Sequence, residues 1–132
     1  MVQLLVIDRD DAIRETLVNL FEDAGYAVVA AASAAAALAF LRSHPDRVVV
    51  LFDAGVPGRE SDGFFSAVAA NGELARRHAY LCMTTNQEKL PPDLRAMLRS
   101  WAIPILSKPF DIESLLTAVA EAAQGLSVPR RG

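Results

Sequence analysis

Four side chains suited to phosphoryl chemistry each stand at or just past the end of an apolar run. They are Asp8, Asp53, Thr84 and Lys108. A carboxylate can hold a hard cation such as Mg²⁺, which prefers oxygen ligands, or act as a nucleophile that forms an aspartyl phosphate. An ammonium group can neutralise charge on a transferring phosphoryl group, and a hydroxyl can donate a hydrogen bond to one of its oxygens. If these four groups meet in the fold, the sequence predicts a site for phosphoryl chemistry.

Buried parallel strands would bring these groups together. Residues 48–52 are apolar without interruption, and Gly55, Pro57 and Gly58 follow Asp53 as loop residues. Short apolar runs bounded by turn residues are typical of strands buried on both faces. In open parallel sheets, ligands bind at the carboxyl ends of the strands. Each residue alone also has an ordinary structural explanation, such as Asp53 acting as a turn former. The prediction of a phosphoryl site therefore rests on the placement of all four residues at strand ends.

Helical segments alternate with the predicted strands, which indicates an α/β fold with helices on both faces of a parallel sheet. Five helices are predicted. The first begins at Asp10 or Asp11 and ends at Gly25, the second begins at Ser33, the third runs from Ser61 or Asp62 to Asn71-Gly72, the fourth runs from Pro91 to Trp101, and the last runs from Asp111 to Gly125. Apolar spacing predicts inward faces that include Ile13 and Leu17 on the first helix and Ile112 and Leu115 on the last. We expect residues 1–124 to form one domain and residues 125–132 a tail or the start of a linker.

Composition excludes several classes of protein. The chain has 132 residues, 52% of them hydrophobic, and a net charge of −3, so it has the material for one core and no overall basic field for direct nucleic-acid binding. Its one cysteine, Cys82, cannot form a disulfide within the chain. No apolar run reaches the roughly 18 residues of a membrane span, and no signal peptide precedes the first strand. We therefore expect a cytoplasmic protein without membrane segments.

The motifs together resemble one family. The residues are 4–8 with 12–14, 49–53 with Pro57, then Asp62-Gly63, 81–84 and 107–110. Over about residues 2–124, the chain is identified as a member of the response-regulator receiver domains of two-component signalling. The resemblance implies a flavodoxin-like, doubly wound sheet of five parallel strands in the order 2-1-3-4-5 with five helices. It also implies a regulatory phosphoacceptor domain rather than an enzyme, apart from self-catalysed phosphoryl transfer and dephosphorylation.

The resemblance assigns roles to individual residues. Asp53 would accept a phosphoryl group from a histidine kinase or phosphotransfer protein, and Thr84 and Lys108 would bind that group. Asp8, Asp53 and the backbone carbonyl of Gly55 would hold Mg²⁺. An output domain or partner protein would receive the signal, with homodimerisation through helix 4, strand 5 and helix 5 as a further option.

One departure from the family pattern concerns the metal. Arg9 stands where relatives carry a second acidic residue. A missing ligand and an added positive charge both lower the expected affinity for Mg²⁺. Asp10 or Asp11 are the candidates to compensate. Arg9 itself has two alternatives: it points to solvent, or it pairs with Asp8 or Asp53 in place of the metal.

Two more departures concern access and signalling. The loop after Asp53 is longer than usual because of residues 58–61, and it would cover the acceptor. Ile105 stands where relatives carry Tyr or Phe, an aromatic that swings inward when the threonine engages phosphate. Without that aromatic, we expect the signal to pass through Thr84, residues 85–90 and the fourth helix.

Three hypotheses follow. The first is the phosphorylatable receiver, favoured because Asp8, Asp53, Thr84 and Lys108 are all present. The second is a divergent receiver that acts as a phosphorylation-independent interaction module, which Arg9 and Ile105 favour. The third is a phosphatase resembling the haloacid dehalogenase superfamily, with Asp8 as nucleophile and Asp10 as general acid. That third reading gives Asp53 no role and finds no later acidic pair for the metal.

Overall fold

The structure is a computed structural model, and it describes residues 3–44, 46–54, 59–84, 88, 90–107 and 111–127. For residues 59–62 and 127, only the backbone is described. Two predicted site residues, Gly55 and Lys108, lie outside the described residues, as does most of the segment 85–90.

Five parallel strands form the centre of the molecule. They are β1 (Gln3–Ile7), β2 (Ala27–Ala31), β3 (Val48–Asp53), β4 (Ala79–Thr84) and β5 (Ile105–Ser107). Their order in the sheet is β2-β1-β3-β4-β5, which confirms the predicted 2-1-3-4-5 arrangement. The apolar residues of β3, at 48–52, are at most 2% exposed. The central strand is therefore covered on both faces, as its unbroken apolar run predicts.

Six helices are described along the chain. They are α1 (Asp11–Asp23), α2 (Ala34–Ser43), α3 (Arg59–Ala70), α4 (Gly72–Arg77), α5 (Pro92–Ser100) and α6 (Ile112–Ser127). α1 and α6 pack on one face of the sheet around Phe21, Leu115 and Val119. α2, α3, α4 and α5 cover the other face, where Phe52 stacks on Phe64 with ring centroids 4.6 Å apart. The two faces hold separate apolar clusters because successive strand residues point to opposite sides.

The helix α4 corrects the predicted count of five. Asn71-Gly72 was expected to end the third helix, and Asn71 is instead the N-cap of a further helix. Its side-chain oxygen accepts hydrogen bonds from the backbone N–H groups of Glu73 at 3.1 Å and Leu74 at 3.3 Å. Asparagine suits either a helix end or an N-cap, so the residue type alone does not decide between them.

Helix ends differ from the prediction in two further places. α3 begins at Arg59, upstream of the expected caps at Ser61 and Asp62. α6 continues past Gly125 to Ser127, and Leu126 is buried. Its carbonyl oxygen accepts a hydrogen bond from Arg47 Nη1 at 2.8 Å, which ties the end of the helix to the residue before β3.

Two isoleucines that were predicted to face inward are exposed. Ile13 is 40% exposed and Ile112 is 59% exposed. Ile13 lies in the first turn of α1 and Ile112 is the first residue of α6. α1 follows β1 and α6 follows β5, and these strands are parallel. The first turns of both helices therefore lie at the carboxyl edge of the sheet. The inward positions one turn later, Leu17 and Leu115, are buried as predicted.

Candidate functional site

Asp8 lies at the carboxyl end of β1 and is 2% exposed. Its Oδ1 accepts a hydrogen bond from the backbone N–H of Asp10 at 2.9 Å, and its carbonyl oxygen accepts one from Arg14 Nη1 at 2.8 Å. Its own N–H donates to the carbonyl oxygen of Ala31 at 3.2 Å. The contacts from β2 and α1 fix the backbone of Asp8, so the position of its carboxylate is set by the fold.

The strand register brings the second carboxylate next to the first. Ile7 pairs with Phe52, so Asp8 and Asp53 are neighbours one step further along β1 and β3. Asp53 is the last residue of β3 and is partly exposed. The backbone continues the ladder beyond it, because the N–H of Ala54 donates to the carbonyl of Met83 at 2.7 Å. One carboxylate is thus enclosed and its neighbour is open to solvent.

Thr84 adds a hydroxyl on the next strand. It is the last residue of β4, is 2% exposed and pairs in register with Ser107 at the end of β5. Three of the predicted site residues, Asp8, Asp53 and Thr84, therefore end neighbouring strands at one edge of the sheet. Lys108 follows Ser107 in the chain, and its position lies outside the described residues.

A buried thiol, that of Cys82, lies close enough to this edge for the charge of Asp53 to affect its pKa. Cys82 is fully buried within β4, and burial raises the pKa of its thiol to about 12, with the negative charge of Asp53 as the second cause. Low dielectric disfavours the thiolate, and a nearby anion disfavours it further. Cys82 is therefore a core residue.

The acidic residues after Asp8 serve the start of α1. Asp10 is the N-cap, and its Oδ1 accepts a hydrogen bond from the backbone N–H of Ile13 at 3.0 Å. Asp11 forms a salt bridge with Arg14, with 2.5 Å between Oδ1 and Nη2. Both carboxylates that were candidates to replace the missing acid thus have partners in the helix. Arg9 lies between Asp8 and this cap as an exposed residue.

Two carboxylates are what the described part of the edge offers a cation. No group of three or more His, Cys, Asp or Glu side chains with metal-binding geometry occurs among the described residues. Asp8 and Asp53 supply hard oxygen donors of the kind Mg²⁺ takes, and this ion commonly retains several water ligands. The donor set therefore fits Mg²⁺ in chemical type, with fewer protein carboxylates than a three-acid site.

His78 is a buried polar residue directly before β4. It is 2% exposed, and its Nδ1 accepts a hydrogen bond from the backbone N–H of Val48 at 3.0 Å. Burial, together with the smaller effects of the charges of Arg77 and His44, lowers its pKa to about 4. Its only sequence signal is its position directly before the apolar run of β4. It lies at the amino edge of the sheet, away from Asp53.

Comparison with known proteins identifies the family. The sequence model of the response regulator receiver domain matches residues 4–120. The chain belongs to this family. Receiver domains are regulatory domains of two-component signalling rather than enzymes of metabolism, and they generally bind Mg²⁺ at an acidic pocket. Response regulators work in general with histidine kinases and with output domains.

Two curated relatives are longer than this chain. The chain is 33% identical over 123 residues to nodulation protein W of Bradyrhizobium diazoefficiens, with 92% of this chain covered. It is 35% identical over 116 residues to the transcriptional regulatory protein FixJ of Azorhizobium caulinodans, with 86% covered. In both cases the match spans 51% of the relative, so the chain spans about half the length of these proteins.

Solved structures share the fold. The chemotaxis protein CheY4 of Vibrio cholerae is 27% identical with a TM-score of 0.73, covering 92% of this chain and 98% of that one. A CheY-like receiver domain from Methanospirillum hungatei has a TM-score of 0.81 at 21% identity, covering 95% of this chain and 96% of its own, and it supports the fold alone. Across the described residues, none of the helices combines the length and the apolar character that crossing a membrane requires.

Proposed function

We propose that this receiver domain accepts a phosphoryl group on Asp53 from a histidine kinase or phosphotransfer protein. The supporting observation is the register of β1 and β3, which makes Asp8 and Asp53 neighbours at the carboxyl edge. The two differ in exposure: Asp8 is enclosed and Asp53 is partly open. A large phosphodonor needs an accessible nucleophile, and Asp53 meets that need.

The proposed step forms a bond between a carboxylate oxygen of Asp53 and phosphorus. The bond between phosphorus and the imidazole nitrogen of a phosphohistidine breaks, and the imidazole leaves with its electron pair and takes a proton. The hydroxyl of Thr84 donates a hydrogen bond to a phosphoryl oxygen, and the ammonium of Lys108 neutralises its charge. Mg²⁺, when bound by Asp8, Asp53 and the carbonyl of Gly55, supplies charge neutralisation during the transfer.

Arg9 sets the strength of that metal site. Its guanidinium is fixed at one positive charge, and it follows Asp8 directly. Asp10 could replace the missing metal ligand only by giving up its capping hydrogen bond, because its Oδ1 already caps α1. We expect this domain to need more Mg²⁺ for half-maximal phosphorylation than a receiver with two adjacent acids.

The signal would leave from Thr84 through residues 85–90 to α5, which is the predicted fourth helix, and also through the end of β5. Thr84 pairs with Ser107 in register, so movement of the threonine towards a phosphoryl group acts on the end of β5. Ile105, two residues earlier, is partly buried and has no ring to swing inward. The changed surface would be that of α5, β5 and α6, where a partner protein, an output domain or a second copy of the chain would bind.

Two alternatives differ in what they require of the site. A phosphorylation-independent interaction module would keep this fold while its edge stays unreactive. A phosphatase of the haloacid dehalogenase type would need Asp8 as nucleophile and Asp10 as acid. The enclosure of Asp8 and the capping role of Asp10 both count against the phosphatase.

Beryllofluoride and acetyl phosphate test the proposal without a cognate kinase. Wild type, Asp53→Asn and Arg9→Asp are incubated with each reagent at graded Mg²⁺, and the adduct is read by mass spectrometry and ¹⁹F NMR. Arg42→Asp is the control for charge reversal, because Arg42 is exposed in the last turn of α2.

We expect a Mg²⁺-dependent adduct in wild type that is absent in Asp53→Asn. Arg9→Asp should lower the Mg²⁺ needed for half-maximal adduct by about tenfold or more, since a ligand is gained and a repulsion removed. Arg42→Asp should match wild type. An adduct on Asp8 would overturn the assignment of the acceptor. No adduct in wild type at any Mg²⁺ concentration, with one in Arg9→Asp, would favour the interaction module.

A further inference from the structure

Arg14 lies one turn into α1, and its side chain reaches back to the end of β1. Its Nη1 donates a hydrogen bond to the carbonyl oxygen of Asp8 at 2.8 Å, and its Nη2 donates to Oδ1 of Asp11 at 2.5 Å. Helical side chains tilt towards the N-terminus of their helix, which allows this reach. The Arg14 side chain is 20% exposed and that of Asp11 is 88% exposed. The guanidinium therefore joins the backbone of the site to a surface carboxylate.

The carbonyl that Arg14 contacts lies just past the strand ladder. β1 and β2 pair as far as Ile7 and Ala31, and the N–H of Asp8 then donates to the carbonyl of Ala31 at 3.2 Å. A longer β2 would offer the Asp8 carbonyl a backbone N–H two residues further on. At that position the chain has already turned into α2, with Ser33 as its N-cap. The side chain of Arg14 donates to the carbonyl where the ladder has ended.

Three hydrogen bonds hold Asp8 and the turn that follows it. They involve its N–H, its carbonyl oxygen and its Oδ1, which accepts from the N–H of Asp10 at 2.9 Å. The carbonyl belongs to the planar peptide group that joins Asp8 to Arg9, so fixing it sets the direction in which the chain leaves Asp8. Loss of the Arg14 contact would release this peptide group and, with it, the Asp10 N–H that orients the carboxylate.

Charge alone would make Arg14 unfavourable for a cation site. It adds a positive charge near the positive end of the α1 dipole and beside the carboxylate proposed to hold Mg²⁺. Arg9 also adds a positive charge next to Asp8, and it is exposed. The two arginines differ because Arg14 donates to the Asp8 backbone.

We propose that Arg14 is a positioning residue of the metal site, which holds Asp8 in the orientation that binds Mg²⁺. Removing Arg14 should then weaken Mg²⁺ binding although a positive charge is lost, whereas removing the charge of Arg9 should strengthen it. This inference rests on the proposed function, in which Asp8 is a metal ligand.

Three variants separate positioning from charge. Arg14→Met and Arg9→Met each remove one positive charge and all side-chain N–H donors, and methionine is a good helix former. Arg14→Lys keeps the charge and a single donor group. Calorimetric titration without a phosphodonor measures Mg²⁺ binding, and hydrogen exchange measured by NMR without metal follows the Asp10 amide. Thermal unfolding first verifies that each variant is folded.

We expect Arg14→Met to bind Mg²⁺ at least about threefold more weakly than wild type, because the contact to the Asp8 carbonyl is lost. Arg9→Met should bind at least about twofold more tightly, since a repulsion is removed. Arg14→Lys should lie between wild type and Arg14→Met. The Asp10 amide should exchange at least about fivefold faster in Arg14→Met, and no faster than in wild type in Arg9→Met.

The inference is overturned if Arg14→Met binds Mg²⁺ as well as wild type or better. It is also overturned if Arg14→Lys does not lie between the two, or if the Asp10 amide exchanges at the wild-type rate in Arg14→Met. A wild type that binds no Mg²⁺ would overturn both this inference and the proposed Mg²⁺-dependent transfer. The expected Mg²⁺ pattern without an adduct on Asp53 would contradict the proposed function and leave the role of Arg14 supported.

Discussion

Asp10 has two alternative roles, as the N-cap of α1 or as a metal ligand, and two substitutions separate them. As a cap it needs only a side-chain oxygen for the N–H of Ile13, which it accepts at 3.0 Å. As a metal ligand it would need its charge. Asp10→Ser keeps a capping oxygen and removes the charge, whereas Asp10→Ala removes both.

The expected losses in the free energy of unfolding follow from the capping contact and the position of Asp10 at the helix N-terminus. Losing an N-cap side chain costs about 1 kcal/mol, and losing a negative charge at a helix N-terminus costs about 0.5 kcal/mol. Asp10→Ala should therefore lower the free energy of unfolding by about 1.5 kcal/mol, and Asp10→Ser by about 0.5 kcal/mol. The contact from the N–H of Asp10 to Asp8 Oδ1 uses the backbone and survives both changes. Asp11→Ala is the control, since its exposed pair with Arg14 should contribute less than about 0.5 kcal/mol.

Urea unfolding measures the stability, and calorimetric titration measures Mg²⁺ binding. We expect the Ala and Ser variants to differ in stability. Their Mg²⁺ affinities should stay within about threefold of wild type, because both variants lose only a long-range attraction between Asp10 and the ion. Equal destabilisation by Ala and Ser would refute the capping argument. A loss of Mg²⁺ affinity of tenfold or more in both variants would instead make Asp10 a ligand.

Three further predictions concern the rest of the molecule. His78 is protonated near pH 6.5 in the unfolded chain and only near pH 4 in the folded one, so the free energy of unfolding should fall by up to about 3 kcal/mol as pH drops through that window. Urea unfolding measures this free energy for wild type and for His78→Gln between pH 7.5 and 4.5. Parallel plots of the free energy against pH for the two proteins would contradict the prediction. Gly25 has a φ of +99°, so Gly25→Ala should lower the stability by about 1 kcal/mol. A Cβ at Gly63 inside α3 meets nothing within 4 Å, so Gly63→Ala should raise the stability by about 0.5 kcal/mol. Thermal unfolding measures both changes, and changes of the same sign would contradict this prediction. Cys82, whose pKa burial raises to about 12, should react with a thiol reagent at pH 8 only as fast as the protein opens, and rapid labelling of the folded protein would show the core to be less closed than described.

Sequence patterns predicted the sheet well because each buried strand is an unbroken apolar run. The run at 48–52 fixes β3, and its end fixes the position of Asp53 at the edge. Strand order followed from the family resemblance, and the structure confirms it. Asp8 and Thr84 reach the same edge through the register of three neighbouring strands. The chemical roles of these residues stay predictions.

The misses arose where a residue type serves two structural purposes. Asn71 was read as a helix end and is an N-cap, so α4 was not predicted. Ile13 and Ile112 fit the helical spacing of their neighbours, and spacing carries no information about where a helix extends past the sheet. His78 is polar and adjoins Arg77, so its burial depends on the backbone N–H of Val48, which is distant in sequence.

The contact between Arg47 and Leu126 has a topological consequence. Gln3 at the start of β1 pairs with Val48, and the carbonyl of Leu126 at the end of α6 bonds to the side chain of Arg47. The first and last described segments therefore meet beside the start of one strand, on the edge opposite to Asp53. A circular permutant that joins these two segments with a short flexible linker and opens the chain at the exposed Asn71 should fold to the same sheet. A partner joined directly to either of these two described segments would start from the same edge, away from the acceptor side.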